Sequence, residues 1–163
     1  MQLAEWFVGE HRAALDGEGR LLLPAPLRSI LNPAREERSF MASLEPEGCL
    51  AVRTPEQWDA EVRRLRSGPD PVRRRRAGMI LTANSARSRL DKQGRLRIPD
   101  VLLQKAGLDR AQEEQRDVII VGNYDDLRLW SPTVWEAYER EARSTWAEDL
   151  AALLDEPGPD ALS

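Results

Sequence analysis

Two short stretches of the chain alternate with a period of two. In Arg20-Leu21-Leu22-Leu23-Pro24, Leu21 and Leu23 fall on one side of an extended backbone and Arg20 and Leu22 on the other. Arg95-Leu96-Arg97-Ile98-Pro99 does the same: Leu96 and Ile98 point inward, and Arg95 and Arg97 share the outer face. Turn chemistry precedes each stretch. Asp16-Gly17-Glu18-Gly19 and Asp91-Lys92-Gln93-Gly94 place Asp at the first turn position and Gly at the fourth, where a left-handed backbone closes a hairpin with a bulge. Pro24 and Pro99 stop each strand and favour a helix start, predicting short helices over 25–31 and 100–107, the second closed by Gly107. Further strands are predicted over 39–44 and 49–53, and over 117–122 and 127–130. Thr54-Pro55 and Ser131-Pro132 read as a helix cap followed by proline in the first turn. Trp58, Val62 and Leu65 then form an apolar stripe at helical spacing. Trp135, Tyr138, Ala142 and Trp146, continued by Leu150 and Leu153, form a longer one, with the tryptophans expected as packing residues.

These elements belong to a duplication. "LDGEGRLLLP" (15–24) and "LDKQGRLRIP" (90–99) agree at six of ten positions. "LAVRTPEQW" (50–58) returns as "LRLWSPTVW" (127–135), with Leu50, Thr54, Pro55 and Trp58 matching Leu127, Ser131, Pro132 and Trp135. Two motifs in one order, at offsets of 75 and 77 residues, mark an internal repeat. The expected organisation is a first repeat over 7–66, a basic linker over 67–82, a second repeat with a C-terminal helix over 83–154, and a flexible tail over 155–163. In the linker, Arg73–Arg76 runs into Met79-Ile80-Leu81. It reads either as a solvated linker helix or as a phosphate-contacting segment.

Composition narrows the function. A chain of 163 residues suits one domain, or two small ones sharing a core, and 41% hydrophobic with 32% charged residues is an ordinary globular balance. No apolar run approaches the roughly 20 residues of a membrane span, and the N-terminus lacks the layout of a secretory signal. The expectation is a cytoplasmic protein. Cys49 is the only cysteine, which excludes an intrachain disulfide and a multi-cysteine zinc site. His11 is the only histidine and has no nucleophile nearby; no glycine-rich phosphate loop or metal-ligand cluster is visible, and Asp125-Asp126 reads as a pair of turn formers. The chain is therefore expected to have no catalytic residue, metal or cofactor. Its net charge of −4 is uneven: residues 61–97 carry +9 and the remainder −13. A basic centre between acidic flanks still projects a local positive field. Arg makes up 22 of the 24 basic residues, a skew that a GC-rich genome also produces, so the placement of arginines says more than their number.

On the motifs Asp16…Gly19-Arg20…Pro24 and Asp91…Gly94-Arg95…Pro99, the chain resembles the MraZ family, bacterial transcriptional regulators with two AbrB-like swapped-hairpin repeats. Phe7, Gly9, Glu10, Leu15 and Asp16 match the family's N-terminal strand, and the Ser/Thr-Pro-x-x-Trp helix starts match as well. The resemblance extends from about residue 7 to residue 150. It implies a mainly β, α+β fold in which the repeats interleave into a pseudo-twofold barrel. It also implies a ring-shaped homo-oligomer, double-stranded DNA as partner through tandem repeats in the promoter of its own division and cell-wall operon, and no membrane. Three departures stand out. Glu18 replaces the family's usual Lys before Gly19-Arg20; the arginine after the proline survives as Arg28 but is replaced by Leu103 in the second copy; and about six residues precede Phe7.

Arginine at the tip of a two-stranded element can reach the major groove and pair its fork with guanine or grip phosphate. Arg20 and Arg95 are assigned the central DNA contacts, with Lys92 and Arg97 as supporting phosphate contacts. Asp16 and Asp91 are expected to cap the turns and orient the arginines, with Gly19 and Gly94 shaping them, because a carboxylate repels phosphate. A turn-stabilising pair with Asp16 or Asp91 is the other reading of the arginines. For the whole chain the alternatives are an AbrB-like antitoxin or RNA-binding protein, a ring scaffold that does not read DNA, and an enzyme on a small β barrel.

Overall fold

The structure, a computed structural model, describes residues 6–31 and 38–155. Eight strands form one antiparallel sheet: β1 (Glu10–Ala14), β2 (Arg20–Leu22), β3 (Arg38–Leu44), β4 (Leu50–Arg53), β5 (Ser85–Leu90), β6 (Arg95–Arg97), β7 (Asp117–Asn123) and β8 (Asp126–Trp130). Their order is β1-β7-β8-β4-β3-β5-β6-β2. The two ends of this order, β1 and β2, are consecutive in the chain and meet at a Leu15–Leu21 bridge, which nearly closes the barrel. Exchanging β1–β4 with β5–β8 leaves the cyclic order unchanged, so the sheet has the pseudo-twofold symmetry expected of interleaved repeats. The interleaving is complete at the hairpin strands: β1 pairs with β7, β5 with β3, and β2 with β6.

The alternation puts one row of side chains inside. Leu21, Leu23, Leu96, Ile98, Leu50, Val118, Ile120, Leu127 and Leu129 are all buried in a single core with Phe40 and Ala42. The helices α1 (Ala25–Ile30) and α4 (Asp100–Lys105) follow the two prolines and add Leu27, Leu102 and Leu103 to it. Gly107, at φ +77°, ends α4 as expected.

Two helices start as the caps predict. Thr54 accepts from the Gln57 backbone at 3.2 Å while the Gln57 side chain accepts from the Thr54 backbone, a reciprocal capping box that opens α2 (Pro55–Arg66). Ser131 opens α5 (Pro132–Asp155) by accepting from Val134. The first turns of α5 are anchored by aromatic contacts: the Trp130 ring lies 5.2 Å from Trp135 and 4.9 Å from Tyr138. Beyond them the expected packing stripe is not covered. Trp146, Leu150, Leu153 and Leu154 are all exposed, because the barrel surface ends before the 24-residue helix does. The Arg73–Arg76 segment forms α3 (Pro71–Ala83), capped by Asp70, with no buried residue. The expected tail lies outside the described residues from 156 onward.

Asp126 is not a loop turn former. It opens β8, is 7% exposed, and forms ion pairs with Arg128 at 2.8 Å and Arg53 at 3.5 Å. Glu45 completes the network, 2.8 Å from Arg53 and 3.6 Å from Arg128. Burial opposes the charge on Arg128, but the Asp126 carboxylate outweighs it and raises the guanidinium pKa. A buried charge of this kind persists only when fully paired, so this network ties the β3–β4 hairpin to β8.

Gly122 marks the tightest backbone approach. A Cβ there would lie 2.4 Å from the backbone of Phe7 and Val8, where the N-terminal segment crosses β7. Gly122→Ala is expected to lower stability by about 1–3 kcal/mol, the usual cost of overpacking. Gly17→Ala, with nothing within 4 Å of the added atom, should change it far less. Thermal unfolding of the two variants checks this contrast.

Candidate nucleic-acid interface

The two Asp-x-x-Gly-Arg turns are nearly superimposable in their bonding. In the first, Gly19 sits at φ +78° and donates to the Asp16 carbonyl at 3.0 Å, and Asp16 donates to the Arg20 carbonyl at 2.9 Å. In the second, Gly94 at φ +80° donates to the Asp91 carbonyl at 3.1 Å, and Asp91 to the Arg95 carbonyl at 2.9 Å. One carboxylate oxygen of each aspartate accepts two backbone N–H groups: Glu18 and Arg20 for Asp16, Gln93 and Arg95 for Asp91. The other oxygen accepts from the motif arginine's Nε, at 2.9 Å for Arg20 and 3.0 Å for Arg95. Burial alone would raise both carboxyl pKa values. For Asp16 the backbone donors and then the arginine more than offset it; for Asp91 the Arg95 backbone and guanidinium and the Gln93 N–H do so. Both end below the ordinary carboxylate range. The pairing with Asp16 raises Arg20 in turn.

Each aspartate therefore orients its arginine by Nε, and the turn-stabilising pair is present in both copies. The terminal nitrogens differ. Arg20 Nη2 lies 3.4 Å from the Glu18 carboxylate. The terminal nitrogens of Arg95 have no hydrogen-bond partner among the described residues and are not buried. The acidic departure at Glu18 thus occupies the hand of the first arginine, whereas the second presents its hand to solvent.

The two turns also lock each other. A Cβ on Gly94 would lie 2.2 Å from Arg28 Cδ, and a Cβ on Gly19 would lie 3.1 Å from Arg110 Cδ. Arg28 comes from the first repeat and Arg110 from the second, so each half covers the other half's turn. Arg110 also donates to the Gly17 carbonyl at 2.7 Å and to Asp100 at 3.0 Å. Leu103 is a fully buried core residue. The second repeat supplies its covering arginine seven residues further on, where sequence matching does not look for it.

Strand pairing gathers the basic residues onto one face. In register, Arg20 lies opposite Arg97, and Arg97 opposite Arg89. The outward positions of β5, β6 and β2 are Ser85, Arg87, Arg89, Arg95, Arg97, Arg20 and Leu22: five arginines in seven. Lys92 is exposed in the adjoining turn. The side chains of Arg87, Lys92 and Arg97 have no partner among the described residues. The sequence reading singled out Arg20, Lys92, Arg95 and Arg97, and the fold brings all four together. It missed Arg87 and Arg89, whose only signal was alternation with Ser88 and Leu90.

Because both turn aspartates are held below the ordinary carboxylate pKa, their contribution to stability is complete above about pH 4 and fades as pH falls through the lowered values. An Asp16→Asn/Asp91→Asn protein keeps one acceptor oxygen for the two backbone donors of each turn, sets an amide N–H against the arginine Nε in place of the other, and loses the charge. It is expected to be less stable than the parent at pH 7, with the difference narrowing as pH is lowered from 7 to below about 4. Unfolding midpoints across that range test this; a constant difference would refute it.

Comparison with known proteins places the chain in a family. A family model described as "MraZ protein, putative antitoxin-like" matches residues 80–156. The transcriptional regulator MraZ of Lachnoclostridium phytofermentans is 32% identical over 131 residues, covering 80% of this chain and 85% of that one. That of Nocardioides sp. is 33% identical, covering 87% and 92%, and that of Heliobacterium modesticaldum 31% identical, covering 91% and 97%. With relatives this similar matched along nearly their whole length, the chain belongs to the MraZ family.

Proposed function

We propose that this protein is a sequence-specific DNA-binding regulator of transcription, contacting duplex DNA through the outer face of β5, β6 and β2. The observation that carries this is the row Arg89–Arg97–Arg20, one residue from each of three adjacent strands in direct register. Neighbouring strands lie about 4.8 Å apart, and like charges directly opposite one another destabilise a sheet. Arg20 is paired with Asp16 and Glu18, whereas the Arg97 side chain between it and Arg89 has no partner among the described residues, and a polyanion laid across the row supplies the counter-charge that Arg97 lacks. Arg95 and Arg20 are the base-reading candidates, held by Asp91 and Asp16 at Nε so that their forks are pre-aimed. Arg97, Lys92, Arg87 and Arg89 serve phosphate, which sets position and not sequence.

One such face is small. Several copies engaging successive promoter repeats turn later contacts into intramolecular ones. The proposal includes the arrangement that the family resemblance implies, a ring-shaped homo-oligomer on tandem repeats upstream of its own division and cell-wall operon.

Titration against the protein's own upstream DNA, with a scrambled duplex as control, tests the reading. Specific binding that falls steeply with salt is expected; equal affinity for both duplexes would refute it. Arg95→Ala should weaken binding by roughly 10- to 100-fold, the range for loss of one bidentate base contact. Arg20→Ala should cost less, because Glu18 already engages that arginine, and Glu18→Lys should tighten binding. Arg97→Ala leaves both turns intact and should flatten the salt dependence. A larger loss from Arg20→Ala than from Arg95→Ala would refute the proposed division of roles.

A further inference from the structure

The most conspicuous features outside the basic face are an uncovered helix and an uncovered groove. The stripe of α5 is continuous at helical spacing, but only its first part meets the barrel, through Trp135 and Tyr138. Its distal half, residues 144–155, carries Trp146, Leu150, Leu153 and Leu154 exposed on one face, with Glu148, Asp149 and Asp155 and no basic residue. Asp149 lies three residues from Trp146 and four from Leu153, beside the stripe. Such a segment is neither a solvated face nor suited to an anionic membrane surface, since its charge is of the wrong sign.

Helices α2 and α3 form a hairpin with a groove of about 640 Å³ against the β3–β4 turn. Leu65, Ala77, Ile80 and Leu81 make its floor, with Arg73 and Arg76 on its rim. Ile80 is 61% exposed. Among the rim charges, Glu61 is engaged by Arg64 at 3.3 Å and Arg73 reaches Asp70 at 3.5 Å, while the Arg76 side chain has no partner among the described residues. Helix α3 holds four consecutive arginines and no acid.

We propose that the groove between α2 and α3 receives the distal half of α5 from a second copy of this chain, with Arg73 and Arg76 facing Asp149. Three matches support the fit. An apolar stripe meets an apolar floor; Asp149, the acid that lies beside the stripe, meets Arg73 and Arg76; and twelve residues of helix, about 18 Å at 1.5 Å per residue, match the 12 and 13 residues of α2 and α3. Docked in this way, α5 adds the third helix of a small bundle and covers apolar surface that is exposed on both partners. The two surfaces differ, so the contact is head-to-tail and generates a ring or a filament rather than a closed dimer. The inference rests on the self-association in the proposed function and deepens it. It assigns the Arg73–Arg76 run to assembly and not to DNA.

Light scattering coupled to size exclusion tests this on the full chain. The parent should be a higher oligomer. A helix variant, Trp146→Ser/Leu150→Ser, and a groove variant, Arg73→Glu/Arg76→Glu, alter only solvent-facing side chains and should both run as monomers with unchanged circular dichroism. Mixing the two variants is the sharpest arm: each retains one good surface, so they should pair one-to-one and stop at dimers. Adding Asp149→Arg to the groove variant should restore the large species. A monomeric parent would overturn both this inference and the assembly reading behind it. A parent oligomer that survives both variants would overturn this interface alone. A groove variant that stays assembled yet loses affinity for the upstream duplex would place the arginine run on DNA and overturn the assignment.

Discussion

Everything in this molecule depends on the two halves completing each other's sheet. Neither repeat has a full set of strand partners within itself: β1 finds β7, β5 finds β3, and β2 finds β6. The β2–β6 pairing matters most for function. It lies on the pseudo-twofold axis relating the repeats and sets Arg20 opposite Arg97 and Leu22 opposite Arg95. A slip of one residue would send Leu21 and Leu96 outward and the arginines into the core. The apolar core therefore fixes the register, and the register fixes the basic face. The crossed covers, Arg28 over Gly94 and Arg110 over Gly19, extend the same dependence to the turns.

This arrangement separates two tasks that one residue type could confuse. Asp16 and Asp91 hold the Nε of their arginines, which makes those residues part of the turn as well as part of the surface. Arg97, Arg87 and Lys92 hold nothing among the described residues and owe the turn nothing. A surface built from both kinds combines aimed hydrogen-bond donors with mobile charge. Glu18 breaks the symmetry at one hand only, so the pseudo-twofold scaffold presents two unequal arginine turns.

Local chemistry was legible in the sequence and long-range pairing was not. The turn glycines, the proline stops, the Thr54 and Ser131 caps and the inward Leu–Leu and Leu–Ile pairs follow from residue types within ten positions of each other, and all appear as expected. The interleaving of hairpins came from family resemblance, since nothing in β1 names β7 as its partner. Asp126 was misplaced because a loop-like string, Asn-Tyr-Asp-Asp, conceals that its last residue faces Arg53 from another strand. Arg110 was missed because it replaces Arg28 in space and not in sequence. The exposed end of α5 had the right periodicity for packing; periodicity reports that a face is apolar and is silent on whether the partner lies in the same chain.

Hydrogen–deuterium exchange of the protein with and without its upstream duplex probes the shared basic face most directly. Protection of peptides covering residues 15–24 and 85–99 together, in one transition as DNA is added, is the predicted result. Protection confined to one of the two turns, or falling instead on α3 while both turns stay unprotected, would contradict the account.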